Sequence, residues 1–208
     1  MFDEGVIKFN CEWIKSKAPS EIEIEEINRL RNELYKLGFI GVYPDGVGFG
    51  NLSLRENAKR SFLITGTQTG GIEALKPKHY TYVTDYDIEK NFVRCKGPSK
   101  ASSESLTHAM IYDLDQAIKA VIHIHHESLW GQLMNQVPTT DQKIPYGTPE
   151  MAREVGRIYQ TTALKKVKIF VMGGHAHGVV TFGANLDEAK SVLFRYLKTN
   201  TDLNNKLI

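Results

Sequence analysis

Only two cysteines, Cys11 and Cys95, occur in 208 residues. Two thiols make no disulfide framework of the kind that staples a small secreted domain, and a reducing, cytoplasmic compartment is the expectation. No apolar run approaches the ~20 residues that a membrane-spanning helix needs. The N-terminus carries Asp3 and Glu4 and lacks the basic-then-apolar order of a signal peptide. A surplus of one charge sign is missing as well. The 26 Lys and Arg against 24 Asp and Glu leave +2, which gives no broad positive field for nucleic acid. A local basic pocket for a small anion is still compatible with that balance. Internal repeats, low-complexity tracts and a clear linker are also absent. The 41% hydrophobic and 24% charged residues suit a soluble globular chain, and the length suits one domain over residues 1–208.

The pattern that is present alternates helix and strand, which places the chain in the α/β class. Residues 6–17 read as a short N-terminal helix. Ser20-Glu21-Ile22-Glu23 is a capping box, and Ile24, Ile27, Leu30, Leu34 and Leu37 follow at helical spacing until Gly38. Gly46-Val47-Gly48-Phe49-Gly50 then leads into Asn51-Leu52-Ser53-Leu54-Arg55. Strands are expected at 61–65, 80–83, 91–95, 119–125, 168–172 and 178–182. Further helices are expected at 103–113, 148–159 and 186–197.

The most informative of these is Val121-Ile122-His123-Ile124-His125. Side chains on a strand alternate between faces, so His123 and His125 share one face and Ile122 and Ile124 the other. Two imidazoles on one face supply two of the three protein ligands of a catalytic zinc site. The plain alternative is a surface strand with polar residues. A third ligand has several candidates: His79, His108, His126, His175 and His177. His126 follows His125 directly and is expected to face away. His108 lies four residues after Glu104, a helical spacing that suits a local hydrogen-bonded pair. His175 and His177 form a second His-x-His before Gly178, and spacing alone does not choose between them.

A second constellation is Ser102-Ser103-Glu104 at a loop-to-helix junction. Hydroxyls beside the exposed N–H groups of a helix N-terminus suit a phosphate, although plain N-capping uses the same residues. Glycine-flanked turns at Gly50-Asn51 and Thr65-Gly66 allow backbone to approach a ligand closely.

In order along the chain, Gly50-Asn51-Leu52-Ser53, Thr65-Gly66, Ser102-Ser103-Glu104 with His108 and Tyr112, Ala120 to His125, Pro145-Tyr146-Gly147-Thr148 and His177-Gly178 with Gly183 and Ala189 together resemble the class II aldolase/adducin family. The resemblance covers about residues 21–197 and lies towards the branch of zinc-dependent sugar-phosphate enzymes. It implies a three-layer α/β/α domain around a mostly antiparallel sheet, in homotetramers with active sites between subunits. It implies that His123, His125 and His177, the histidine directly before Gly178, bind one Zn²⁺ or another divalent metal per subunit, with His175 a neighbour. Glu104 becomes the acid/base, and Asn51, Thr65, Gly66, Ser102 and Ser103 the phosphate-binding positions.

The implied reaction is that of an aldolase-type lyase on a small sugar phosphate, with the metal as the Lewis acid that stabilises an enediolate and Glu104 moving the proton. Glutamate after the serine pair favours the aldolase or a dehydratase, whereas Ser105-Leu106-Thr107-His108 looks closer to the 4-epimerase. A non-catalytic, adducin-like assembly domain is the alternative of another class, but such domains lack the metal histidines that this chain carries. The expected partners are a small phosphorylated sugar or aldehyde and copies of the chain itself, with neither nucleic acid nor membrane.

Overall fold

The computed structural model describes residues 5–55 and 60–204; Asp3 and Glu4 lie outside them. Its centre is an eight-stranded sheet in the order β1-β7-β6-β5-β4-β8-β10-β9. The strands are β1 (Asn10–Lys15), β4 (Asn51–Leu54), β5 (Phe62–Thr65), β6 (Tyr80–Asp87), β7 (Phe92–Gly97), β8 (Ala120–His125), β9 (Ile169–Val171) and β10 (Gly178–Gly183). A separate two-stranded ribbon joins β2 (Gly41–Val42) and β3 (Gly48–Phe49). The main sheet is mixed. β1 runs parallel to β7, and the other neighbours pair antiparallel.

Helices lie on both faces. One core layer packs α2 (Ser105–Leu114), α4 (Pro149–Thr161) and the short α5 (Leu164–Val167) against Val121, Phe170 and Phe182. The other packs α1 (Glu21–Lys36), α3 (Glu127–Leu133) and α6 (Leu186–Asn204) against Ile122, Ile124 and Val179. A sheet covered on both sides buries both faces of its central strands, and every residue of β8 is buried. Each large apolar side chain so buried contributes ~1.5–3 kcal/mol.

The expected capping box forms. Ser20 Oγ accepts from the Glu23 N–H, and the Glu23 carboxylate accepts from the Ser20 N–H. After α1 the chain turns at Gly38, whose φ of 74° suits glycine. The expectation of a helix over residues 6–17 is overturned, because β1 occupies that stretch. Ile7, Phe9, Cys11 and Trp13 alternate with Lys8, Asn10 and Glu12, which is the two-residue period of a strand. All four apolar residues pack onto the same core layer. Cys11 and Cys95 meet there as thiols, their sulfurs 3.9 Å apart. No helix among the described residues is long and apolar enough to cross a membrane.

Candidate active site

Position β8 in the middle of the sheet and its alternation does the rest. Ile122 and Ile124 enter one core layer, and His123 and His125 leave on the opposite face with ring centroids 4.9 Å apart. β4 pairs antiparallel with β8 and sets Asn51 opposite His123. The Asn51 amide donates to Glu104 Oε2 over 3.0 Å, and that same oxygen is in direct contact with His123 Nδ1. Glu104 stands at the N-terminal boundary of α2, so this helix carries the carboxylate to the histidine face.

The third imidazole is His175. Its Nε2 lies 3.0 Å from His125 Nε2, and donor atoms of His123, His125 and His175 all fall within 4.8 Å of one another. His177, the expected third member, is elsewhere. Its ring meets Trp130 edge-on at 6.0 Å. The reason lies in the turn before β10, where His177 has a φ of 67° and His175 stands outside the strand, free of its alternation. Gly178 pairs with His125 in the β8–β10 register, so residue 178 belongs to the histidine face and residue 177 to the other. A β-carbon at Gly178 would sit 2.7 Å from the His175 ring and 3.3 Å from His123 Nε2, so glycine there makes room for the cluster. His126 also turns away, its Nδ1 accepting from the Leu129 N–H at the start of α3.

Burial sets the protonation states. It drives the His125 imidazole well below its ordinary pKa, with His175 and His123 adding to the effect. Burial likewise takes His175 to about 3, against the pull of Glu104. Both are therefore neutral at pH 7, the form that ligates metals. For Glu104, burial acts upward, but His123, His175 and the Asn51 amide outweigh it and bring the carboxyl to about 2. The donor set fits a divalent metal. His123 Nε2 and Glu104 Oε1 are buried and have no hydrogen-bond partner among the described residues, and Oε1 is 4.0 Å from His175 Nε2. Orphaned polar atoms of this kind are costly unless something completes them.

A cavity opens directly onto Glu104, His123 and His175, walled by loops 48–51, 66–70 and 102–103. Gly66, Ser102 and Ser103 line it. Ser102 Oγ accepts from the Glu104 N–H over 3.4 Å. Asn51 lines it too, but its amide is committed to Glu104 and also lies 3.3 Å from His123 Nδ1. Thr65 is not among the lining residues. Its hydroxyl accepts from the Leu52 N–H across β4 and β5 over 3.4 Å.

Three aromatic residues around the cluster were given no role by the sequence. Tyr43 places its hydroxyl 2.7 Å from His125 Nδ1, Phe49 lies 5.2 Å from the same ring, and Tyr146 stacks on His175 at 4.3 Å. The Tyr43-Pro44-Asp45-Gly46 turn signal marks the ribbon that delivers the first two, but no local pattern reports what they touch.

One turn beyond Glu104, His108 Nδ1 is 2.7 Å from Ser53 Oγ, which also meets Tyr112 Oη at 2.7 Å. Burial lowers His108 from an ordinary 6.5 to about 3. The unfolded chain takes up that proton first, so this contribution to stability is complete above pH 6.5 and is lost as pH falls towards 3. Replacing His108 with glutamine should flatten part of that acid decline. Urea midpoints compared between about pH 7.5 and 4.5 would show it, and an unchanged pH profile would count against it.

Several solved structures share the fold. L-fuculose 1-phosphate aldolase superposes with a TM-score of 0.66 at 18% identity, covering 89% of this chain and 86% of that one. A sugar-phosphate aldolase from Thermotoga maritima gives 0.67 at 17% identity, with 90% and 95% covered. YgbL from Klebsiella pneumoniae gives 0.64 at 20% identity, with 91% of each chain covered. The family model of the class II aldolase and adducin N-terminal domain matches residues 44–198, the span holding the histidine face, Glu104 and the cavity loops. The chain belongs to the class II aldolase and adducin family.

Proposed function

We propose that this protein is a divalent-metal-dependent, aldolase-type lyase that makes or breaks a carbon–carbon bond beside the carbonyl of a small sugar phosphate. The observation that carries the reading is the meeting of three buried imidazoles, His123, His125 and His175, beside a carboxylate whose Oε1 has no hydrogen-bond partner among the described residues. His123, His125 and His175 would hold the ion, and the donor set suits zinc as well as other imidazole-seeking divalent metals. When bound, the ion supplies Lewis-acid stabilisation of negative charge developing on substrate oxygens.

The protein's own groups divide the remaining work. Glu104 Oε2 is held by Asn51, which leaves Oε1 to take a proton from, or return it to, the carbon next to the carbonyl. Tyr43 fixes the ring of His125 through Nδ1, which leaves Nε2 facing His175, the outer contact that keeps a ligating imidazole in one orientation. Gly66, Ser102 and Ser103 form the wall suited to the phosphate end. With a net charge of only +2, selection for an anion would fall to this local wall. In keeping with the family resemblance, the active form is expected to be a homotetramer.

Metal analysis of the purified protein separates this enzyme from a non-catalytic assembly domain. About one zinc or similar ion per chain is expected; less than about 0.1 per chain with no uptake on titration would end the metalloenzyme reading. A screen of sugar phosphates for release of dihydroxyacetone phosphate then tests the reaction. Epimerised product without cleavage would move the assignment to an epimerase on the same scaffold.

A further inference from the structure

Arg31 is 1% exposed, and among the described residues no carboxylate pairs with it. A buried guanidinium is costly unless its donors are satisfied; here main-chain carbonyls take most of them, with Asn32 Oδ1 3.5 Å from Nη1 and the Tyr35 ring 4.7 Å from the guanidinium carbon. Nη1 donates to Glu73 O over 2.9 Å, and Nη2 donates to Thr69 O over 3.0 Å and to Gly70 O over 2.9 Å. The rest of this helix face does the same work. Asn28 donates to Leu75 O over 3.2 Å and Tyr35 to Gly71 O over 3.5 Å. Positions 28, 31 and 35 are spaced three and four apart, so they line one stripe of α1. The loop from 69 to 75 is therefore pinned to α1 by its carbonyls.

In a trans peptide the carbonyl and the following N–H point in opposite directions, and the chain has no cis peptide among its described residues. Carbonyls of Thr69 and Gly70 drawn towards Arg31 thus send the N–H groups of Gly70 and Gly71 the other way. Thr69 and Gly70 line the candidate active-site cavity, and Gly71 lines the opening beside it. A β-carbon at Gly48 would come within 3.3 Å of the Gly70 nitrogen, so glycine at 48 leaves room beside that nitrogen. Oriented backbone N–H groups make anion-binding concavities.

We propose that Arg31 is a positioning residue of an anion subsite: it clamps the Thr69 and Gly70 carbonyls so that the N–H groups behind them face a phosphate-type oxygen in the cavity. This rests on the reading of the site as one for a phosphorylated substrate. Lysine cannot replace Arg31, because one ammonium does not span three carbonyls as a planar fork does.

The test titrates inorganic phosphate into the wild type, Arg31→Lys and Arg31→Gln by calorimetry, with zinc affinity and thermal unfolding measured on the same samples. The expected result is a dissociation constant for phosphate raised at least about tenfold in both variants, with zinc affinity and a cooperative transition retained. If the wild type binds no phosphate, the anion reading and this proposal fall together. Phosphate bound equally by all three proteins would overturn the role of Arg31 and leave the anion reading standing. Loss of the cooperative transition in both variants would overturn it too, since Arg31 would then support the core and not one loop.

Discussion

His175→Ala should lose the metal, and His177→Ala should keep it. The two histidines are two residues apart in a Gly-rich turn, yet they lie on different sides of the sheet. His175 Nε2 is 3.0 Å from His125 Nε2, whereas His177 rests against Trp130. Removing one of three imidazole donors should weaken zinc by more than about 100-fold, beyond the 10–100-fold typical of outer-contact losses. Metal content after exhaustive dialysis reads the difference directly. Metal retained by His175→Ala and lost by His177→Ala would restore the assignment drawn from the His-Gly motif and reject the geometric one.

The second large effect is expected from Glu104→Gln. Glutamine preserves the shape and still has an oxygen for the Asn51 amide, but it takes up no proton. If Glu104 is the acid/base, turnover should fall by about 10²–10⁴-fold while metal content stays near that of the wild type. The measurement is kcat for release of the carbonyl product, set beside metal analysis of the same preparation. A variant that keeps its metal and loses less than about tenfold in turnover would remove Glu104 from the proton-transfer step.

These two sites also mark where sequence patterns sufficed and where they did not. The capping box of α1 and the alternation in β8 are local, so the helix start and the pairing of His123 with His125 on one face were readable from neighbouring residues. The side chain of Glu104 was identified from an ordered motif, and the structure brings it against His123. The choice between His175 and His177 depends on the conformation of the turn before β10 together with the register of β10 against β8, set by a partner strand more than 50 residues away, and no local pattern encodes it. Thr65 and Asn51 illustrate the same limit, since each carries a polar group suited to phosphate while a neighbouring strand or helix claims it. The segment before Ser20 is a different case. Ile7, Phe9, Cys11 and Trp13 carry the two-residue period of a strand, which prevails over the helical reading of residues 6–17. Arg31 carries no local signal of its role, because its carbonyl partners lie about 40 residues further on.

The placement of Gly178 opposite His125 bears on how the chain reaches its native state. The candidate metal site draws on β8 and on the turn before β10, and its contacts span 50 residues, so it exists only once that long-range pairing has formed. A one-residue slip between the strands would send the histidines of one segment to the wrong face. An ion bound by both segments would stabilise the correct register and no shifted one. The cluster would thus act as a proofreader of strand alignment, and divalent metal should lower the population of misregistered chains during refolding before any substrate is present.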